Sequence, residues 1–166
     1  MTHRTSRNAV EGRSAAGAAK PLPPTSSPEA VARWLMSSPF WQLLGLTVAA
    51  AEPGRAVLQL TVNDQLKQVL GTVHGGVTAA LIDSAVIAAL QPLLEPGVPA
   101  TTVEMNVNYL APARAGTLRA EARILKCGRT LALGAVEVRD DEQTLIAHGT
   151  ATYMILRPAQ APAATT

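Results

Sequence analysis

Residues Gly75 to Gln91 read GGVTAALIDSAVIAALQ, and Pro92 follows. Alanine and leucine without an internal proline predict a helix. Its apolar residues are not confined to one stripe, because Val77, Ala80, Leu81, Ile82, Val86, Ile87 and Leu90 go all round. A helix of that kind is enclosed by other structure. Seventeen residues span about 25 Å at the helical rise.

Downstream the period changes from helical to two. Val103, Met105, Val107 and Tyr109 alternate with Thr102, Glu104, Asn106 and Asn108. Leu118, Ala120, Ala122 and Ile124 alternate with Thr117, Arg119, Glu121 and Arg123. Leu131 to Val138 and Thr144 to Ile155 are strand-like as well. These patterns predict half-buried antiparallel strands. Upstream, residues 45–51 and 55–62 predict two strands joined at Glu52-Pro53-Gly54, a turn sequence. Ser27-Pro28 predicts a helix start. That helix runs to about Ser37, and Pro39 stops it. Phe40 to Leu44 is read as a short apolar connector, and residues 63–74 as a loop. The class is α+β, with one antiparallel sheet curved around one enclosed helix. A single layer leaves its outer face open, so self-association is expected.

The chain has 166 residues, of which 48% are apolar and only 16% charged. That bounds it to one domain with a packed core. The low charge content is expected of a surface partly covered in an oligomer. Residues 1–27 hold Arg4, Arg7, Arg13 and Lys20 against Glu11, so the basic balance resides there. They are expected to form a disordered tail, because such a composition cannot bury a core. Residues 28–156 then form the domain, and residues 157–166 a flexible C-terminal tail. Aromatic content is 3%, which argues against a stacking surface for nucleic acid. No apolar run is read as reaching the ~20 residues of a membrane span. No secretory signal is read at the N-terminus, and a cytoplasmic setting is expected. One cysteine, Cys127, excludes an intramolecular disulfide and a multi-Cys metal site.

The chain lacks G-x-S-x-G, a Walker loop, a dinucleotide fingerprint and HExxH. Asp83 is the only carboxylate between His74 and Glu95, and it sits in mid-helix. A carboxylate there is costly unless it is paired, hydrogen-bonded or used. It either pairs with a neighbouring strand or subunit, or acts as base or nucleophile. His74-Gly75-Gly76 opens the helix. Two glycines expose backbone N–H groups at the positive end of the dipole, which suits an oxyanion. The same pair also serves a plain loop-to-helix turn. His74 is either a base or a structural group, and His148 is read as a surface or interface residue. Arg114, Arg119, Arg123, Lys126 and Arg129 cluster within sixteen residues. The turn Lys126-Cys127-Gly128-Arg129-Thr130 would suit phosphate, or is a solvated strand end.

The stretches LGTVHGGVTAALIDSA (70–85), TTVEMNVNYLAPARAG (101–116) and LKCGRTLA (125–132) together resemble the hotdog-fold acyl-CoA thioesterases of the PaaI type. The resemblance covers roughly residues 40–156. It implies an antiparallel sheet wrapped around a long central helix and continued across a dimer, with active sites at the subunit interface. It implies the Gly75 N–H as oxyanion donor and Asp83 as the catalytic carboxylate; His74, as the candidate base beside them, is placed with the catalytic group. Gln68 would contact the thioester carbonyl, and Thr102 would hold the water. Gly76, Lys126, Gly128, Arg129 and Thr130 would contact CoA. Neither a cofactor nor a metal is implied. The family's glutamate branch carries a Thr one turn after its carboxylate, where Ile87 stands here. The first 27 residues have no counterpart in the family.

The expected reaction is hydrolysis of acyl-CoA to acid and CoA. One alternative is a non-catalytic acyl-CoA sensor. Another is enoyl-CoA hydration, which needs a histidine five residues after an aspartate. Val69 follows Asp64 at that spacing and Ala88 follows Asp83. The expected partners are acyl-CoA and further copies of the chain, as a homodimer or dimer of dimers, without nucleic acid or membrane.

Overall fold

The computed structural model describes residues 20–157. Residues 1–19 and 158–166, which hold most of the two predicted tails, lie outside the described residues. The elements are helix α1 (Pro28–Met36), helix α2 (Pro39–Leu44), strands β1 (Thr47–Glu52) and β2 (Arg55–Thr61), helix α3 (Gly75–Leu90), then β3 (Ala100–Tyr109), β4 (Thr117–Cys127), β5 (Leu131–Arg139) and β6 (Leu145–Ile155). Single 3-10 turns lie at Asp64–Leu66 and Gln91–Leu93. The strands form one sheet in the order β1-β2-β4-β5-β6-β3, and every neighbouring pair is antiparallel.

Local chemistry explains the helix ends. The Ser27 hydroxyl caps α1 by accepting from the Ala30 N–H, and Pro28 occupies the first turn. The predicted connector at Phe40–Leu44 is instead the helix α2. Pro39 starts it and Gly45, at φ +71°, closes it in the left-handed region. Trp41 and Leu44 from α2 enter the core.

α3 lies in the concave face of the sheet, as the all-round apolar pattern requires. Leu81, Ile82, Ala85, Val86, Ala89 and Leu90 are fully buried. Each large aliphatic side chain so enclosed stabilises the fold by about 1.5–3 kcal/mol. The helix and the turn after it, Gly75–Leu93, form a 19-residue run of mean hydropathy 1.5, long and apolar enough to cross a membrane. This corrects the expectation that no such run exists. Its most apolar stretch is 61% buried inside this domain, so the sheet is what encloses it.

Two glycines let helix and sheet approach. A Cβ on Gly134 would come within 2.7 Å of the Val86 side chain. A Cβ on Gly149 would meet the Asn106 carbonyl oxygen at 2.8 Å and Ile82 at 3.0 Å.

The edge strand β3 departs from expectation. Its period-2 pattern predicts one buried face, yet none of its residues is fully buried, and Val103, Met105 and Tyr109 are exposed apolar groups. Among the described residues β3 pairs with β6 on one side only, and its other edge has no partner strand. Strict alternation is also broken. Thr102 pairs with Tyr153 and Glu104 with Thr152, so Val103 is an extra residue in a bulge. The bulge turns Thr102 to the helix side of the sheet, opposite to Glu104.

Gly149→Ala is expected to lose about 1–3 kcal/mol of folding stability by overpacking, because the Asn106 backbone cannot give way. Chemical denaturation against the wild type reads this directly.

Candidate active site

The predicted site residues assemble in two groups along α3. The first is at its N-terminus. Gln68 lies in a loop closed by two bonds to Thr72: the Gln68 N–H donates to the Thr72 carbonyl at 2.8 Å, and Gln68 Nε2 donates to Thr72 Oγ1 at 2.8 Å. Gly71, at φ +73°, supplies the turn. The tip carries Val69 and Leu70, both fully or largely exposed. The His74 N–H donates to the Leu66 carbonyl at 2.9 Å, which ties the loop to the helix start. Gln68, Thr72, Gly75, Thr78, Tyr109 and Ile146 line a common pocket of about 350 Å³.

His74 has a definite structural task. Its Nδ1 accepts from the Gly76 N–H at 2.9 Å, so the imidazole is the N-cap of α3. The Gly76 N–H is thereby taken, whereas the Gly75 N–H has no acceptor among the described residues. The Tyr109 hydroxyl donates to the Gly75 carbonyl at 3.0 Å and fixes that peptide. The free amide thus sits at the positive end of the helix dipole, facing a pocket.

The second group surrounds Asp83, eight residues along the same helix, or about 12 Å at the helical rise. Asp83 is half-buried. Thr102 Oγ1 donates to its Oδ1 at 2.8 Å, and the Tyr153 hydroxyl donates to the same oxygen at 2.7 Å. Of the alternatives left open by the sequence, the carboxylate is therefore hydrogen-bonded by neutral hydroxyls, without a cation among the described residues. Burial first, and the Asp83 charge second, push the Tyr153 phenol far above its ordinary range. It therefore stays a donor. The Thr102 hydrogen points at Asp83, which leaves its oxygen as an acceptor for a water hydrogen. Tyr153 was not among the predicted site residues. The only signal was its place opposite Thr102 across β3 and β6, and that register is not readable from one strand.

Lys126, Arg129 and Thr130 are exposed at the β4–β5 turn, and Gly128 closes it through its N–H to the Leu131 carbonyl at 2.8 Å. The Ile155 N–H donates to the Thr130 carbonyl at 2.8 Å. The basic turn thus belongs to the Asp83 side of the sheet and stands apart from the Gln68 pocket. His148 is half-buried on the outer face, where it pairs between Glu137 and Asn108. There it lines a larger concavity of about 490 Å³ with Glu121 and Glu137. That concavity shares no residue with either group. Among the described residues no cluster of three potential metal ligands occurs.

A six-stranded antiparallel sheet wrapped around one long central helix is the hotdog fold. The family model of the thioesterase superfamily matches residues 70–147. Acyl-coenzyme A thioesterase 13 of Homo sapiens is 36% identical over 113 residues, covering 66% of this chain and 80% of that protein. The thioesterase HI1161 from Haemophilus influenzae superposes with a TM-score of 0.73 at 25% identity, covering 83% of this chain and 96% of that one. A mutant form of the phenylacetic acid degradation protein PaaI from Thermus thermophilus gives a TM-score of 0.67 at 33% identity, covering 72% and 100%. The chain belongs to the thioesterase superfamily.

Because His74 serves as a cap, His74→Asn should keep both stability and turnover, since Asn is a favoured cap. His74→Ala should lose about 1 kcal/mol of stability. Thermal melts beside a thioester assay check both. Abolished turnover in a folded His74→Asn protein would make His74 a base.

Proposed function

We propose that the protein hydrolyses acyl-CoA thioesters to the free acid and CoA. The observation that carries this reading is that α3 bears both an unpaired amide at Gly75 and a hydroxyl-held carboxylate at Asp83. The thioester carbonyl oxygen is received by the Gly75 N–H, with the second Nε2 hydrogen of Gln68 assisting. Asp83 takes a proton from an attacking water, which Thr102 orients. The tetrahedral oxyanion collapses, the C–S bond breaks, and the proton passes to the departing thiolate. In the variant in which Asp83 attacks the carbonyl itself, water then cleaves the mixed anhydride. Lys126 and Arg129, with Gly128 and Thr130 shaping their turn, receive the phosphates of CoA, and Gly76 lies against the same ligand.

The two groups lie too far apart in one chain to share a substrate carbonyl. The open edge of β3 supports a homodimer in which two β3 strands pair antiparallel. Thr102 and Tyr109 mark opposite ends of β3, about 23 Å apart at the strand rise. A two-fold axis near Met105 brings Asp83 of one copy to the Gly75 of the partner. It also covers Val103, Met105 and Tyr109, whose exposure is otherwise a liability.

Asp83→Asn retains both acceptor bonds through its amide oxygen but cannot take a proton. Its kcat is expected to fall by about 10²–10⁴ with folding kept. A folded variant with near wild-type turnover in a thiol-release assay removes Asp83 from the reaction. The non-catalytic sensor is excluded by catalytic release of free thiol. For the assembly, light scattering at micromolar concentration should give at least twice 17.3 kDa. Met105→Asp should shift the protein to a monomer and abolish activity. A monomeric chain that remains active overturns the shared site.

A further inference from the structure

Asp83 is gripped by more than a catalytic carboxylate needs for its charge. Tyr153 reaches it from β6, and its phenol lies 2.9 Å from the Asp83 backbone carbonyl as well as 2.7 Å from Oδ1. A phenol has one hydrogen, here shared between two acceptors of the same residue. Such a bridge from main chain to side chain fixes the Asp83 rotamer. Thr102, paired directly across from Tyr153, donates to the same Oδ1. Oδ2 has no donor among the described residues. The two carboxylate oxygens are therefore inequivalent.

Resting on the hydrolysis reading above, we propose that Tyr153 is a positioning residue that locks Oδ1 of Asp83 and so assigns the proton-accepting role to Oδ2. Tyr153 itself does not touch the substrate, because it is buried behind the carboxylate. Among the described residues it is the only titratable side chain facing Asp83. The buried side chains of β2, β4 and β5 are aliphatic, as are those of α1, and Glu104 on β3 points to the outer face, where it meets Thr152. α3 carries no other ionisable group.

The test is Tyr153→Phe, which keeps the ring and removes the hydroxyl. Its kcat should fall about 10-fold through loss of alignment, with KM unchanged. Removing one of two donors makes a carboxylate hold its proton more firmly. The acid limb of kcat/KM should therefore move up. In an Asp83→Asn background the same change should have no further effect. A second variant retains the packing. The chain has two tyrosines, so 3-fluorotyrosine incorporated in a Tyr109→Phe background labels Tyr153 alone. The more acidic phenol donates more strongly and should move the acid limb down relative to that background. An unmoved acid limb in both variants, with Asp83→Asn inactive, overturns the role of Tyr153 and leaves the hydrolysis reading standing. An active Asp83→Asn overturns that reading and this inference together.

Discussion

The close approach of α3 to the sheet is the constraint from which the rest follows. Gly134 and Gly149 remove the side chains that would hold helix and sheet apart, and Val86 and Ile82 fill the space. At that separation a phenol on β6 and a hydroxyl on β3 both reach a carboxylate in mid-helix. A wider gap would leave the carboxylate half-buried without partners, at a cost on the order of several kcal/mol. The packing of the core and the construction of the site are thus one arrangement.

The choice of partners for Asp83 has its own consequence. A guanidinium would neutralise the carboxylate, whereas hydroxyls orient it and leave the charge in place. The ion pairs in the described residues lie elsewhere, between Lys67 and Asp64, Arg119 and Glu121, Arg139 and Glu137, and Arg157 and Glu95. All four involve well-exposed carboxylates, and pairs of that kind contribute little to stability. At the N-terminus of α3, the His74 cap takes one of two glycine amides and Tyr109 holds the Gly75 carbonyl. The Gly75 amide is left without an acceptor among the described residues, at the positive end of the helix dipole.

The edge strand links these two places. β3 carries Thr102 toward Asp83 at its beginning and Tyr109 toward Gly75 at its end. Its bulge at Val103 is what lets a strand with outward Glu104 still turn Thr102 inward. Its unpaired edge and exposed apolar side chains belong with a single-layer sheet, whose helix face is fully covered only as far as β6.

The sequence by itself determined the enclosed helix, the succession of strands along the chain, and the family. Glycine and proline punctuation and apolar period are local properties, and HGG with Asp83 nine positions after His74 is a short-range motif. α2 was legible too, through Pro39 and Gly45, though its length of six residues made a connector the simpler reading. Tertiary structure alone decided the rest. Which side of β3 Thr102 takes depends on a one-residue bulge, and alternation in the sequence points the other way. That Tyr153 serves Asp83 depends on the pairing of β3 with β6, two strands separated in the chain by all of β4 and β5. Hydrogen-bond register sets that pairing, and neither strand's composition does. The exposure of β3 likewise follows from its position at the sheet edge, because a period of two says which residues share a face and nothing about what covers it.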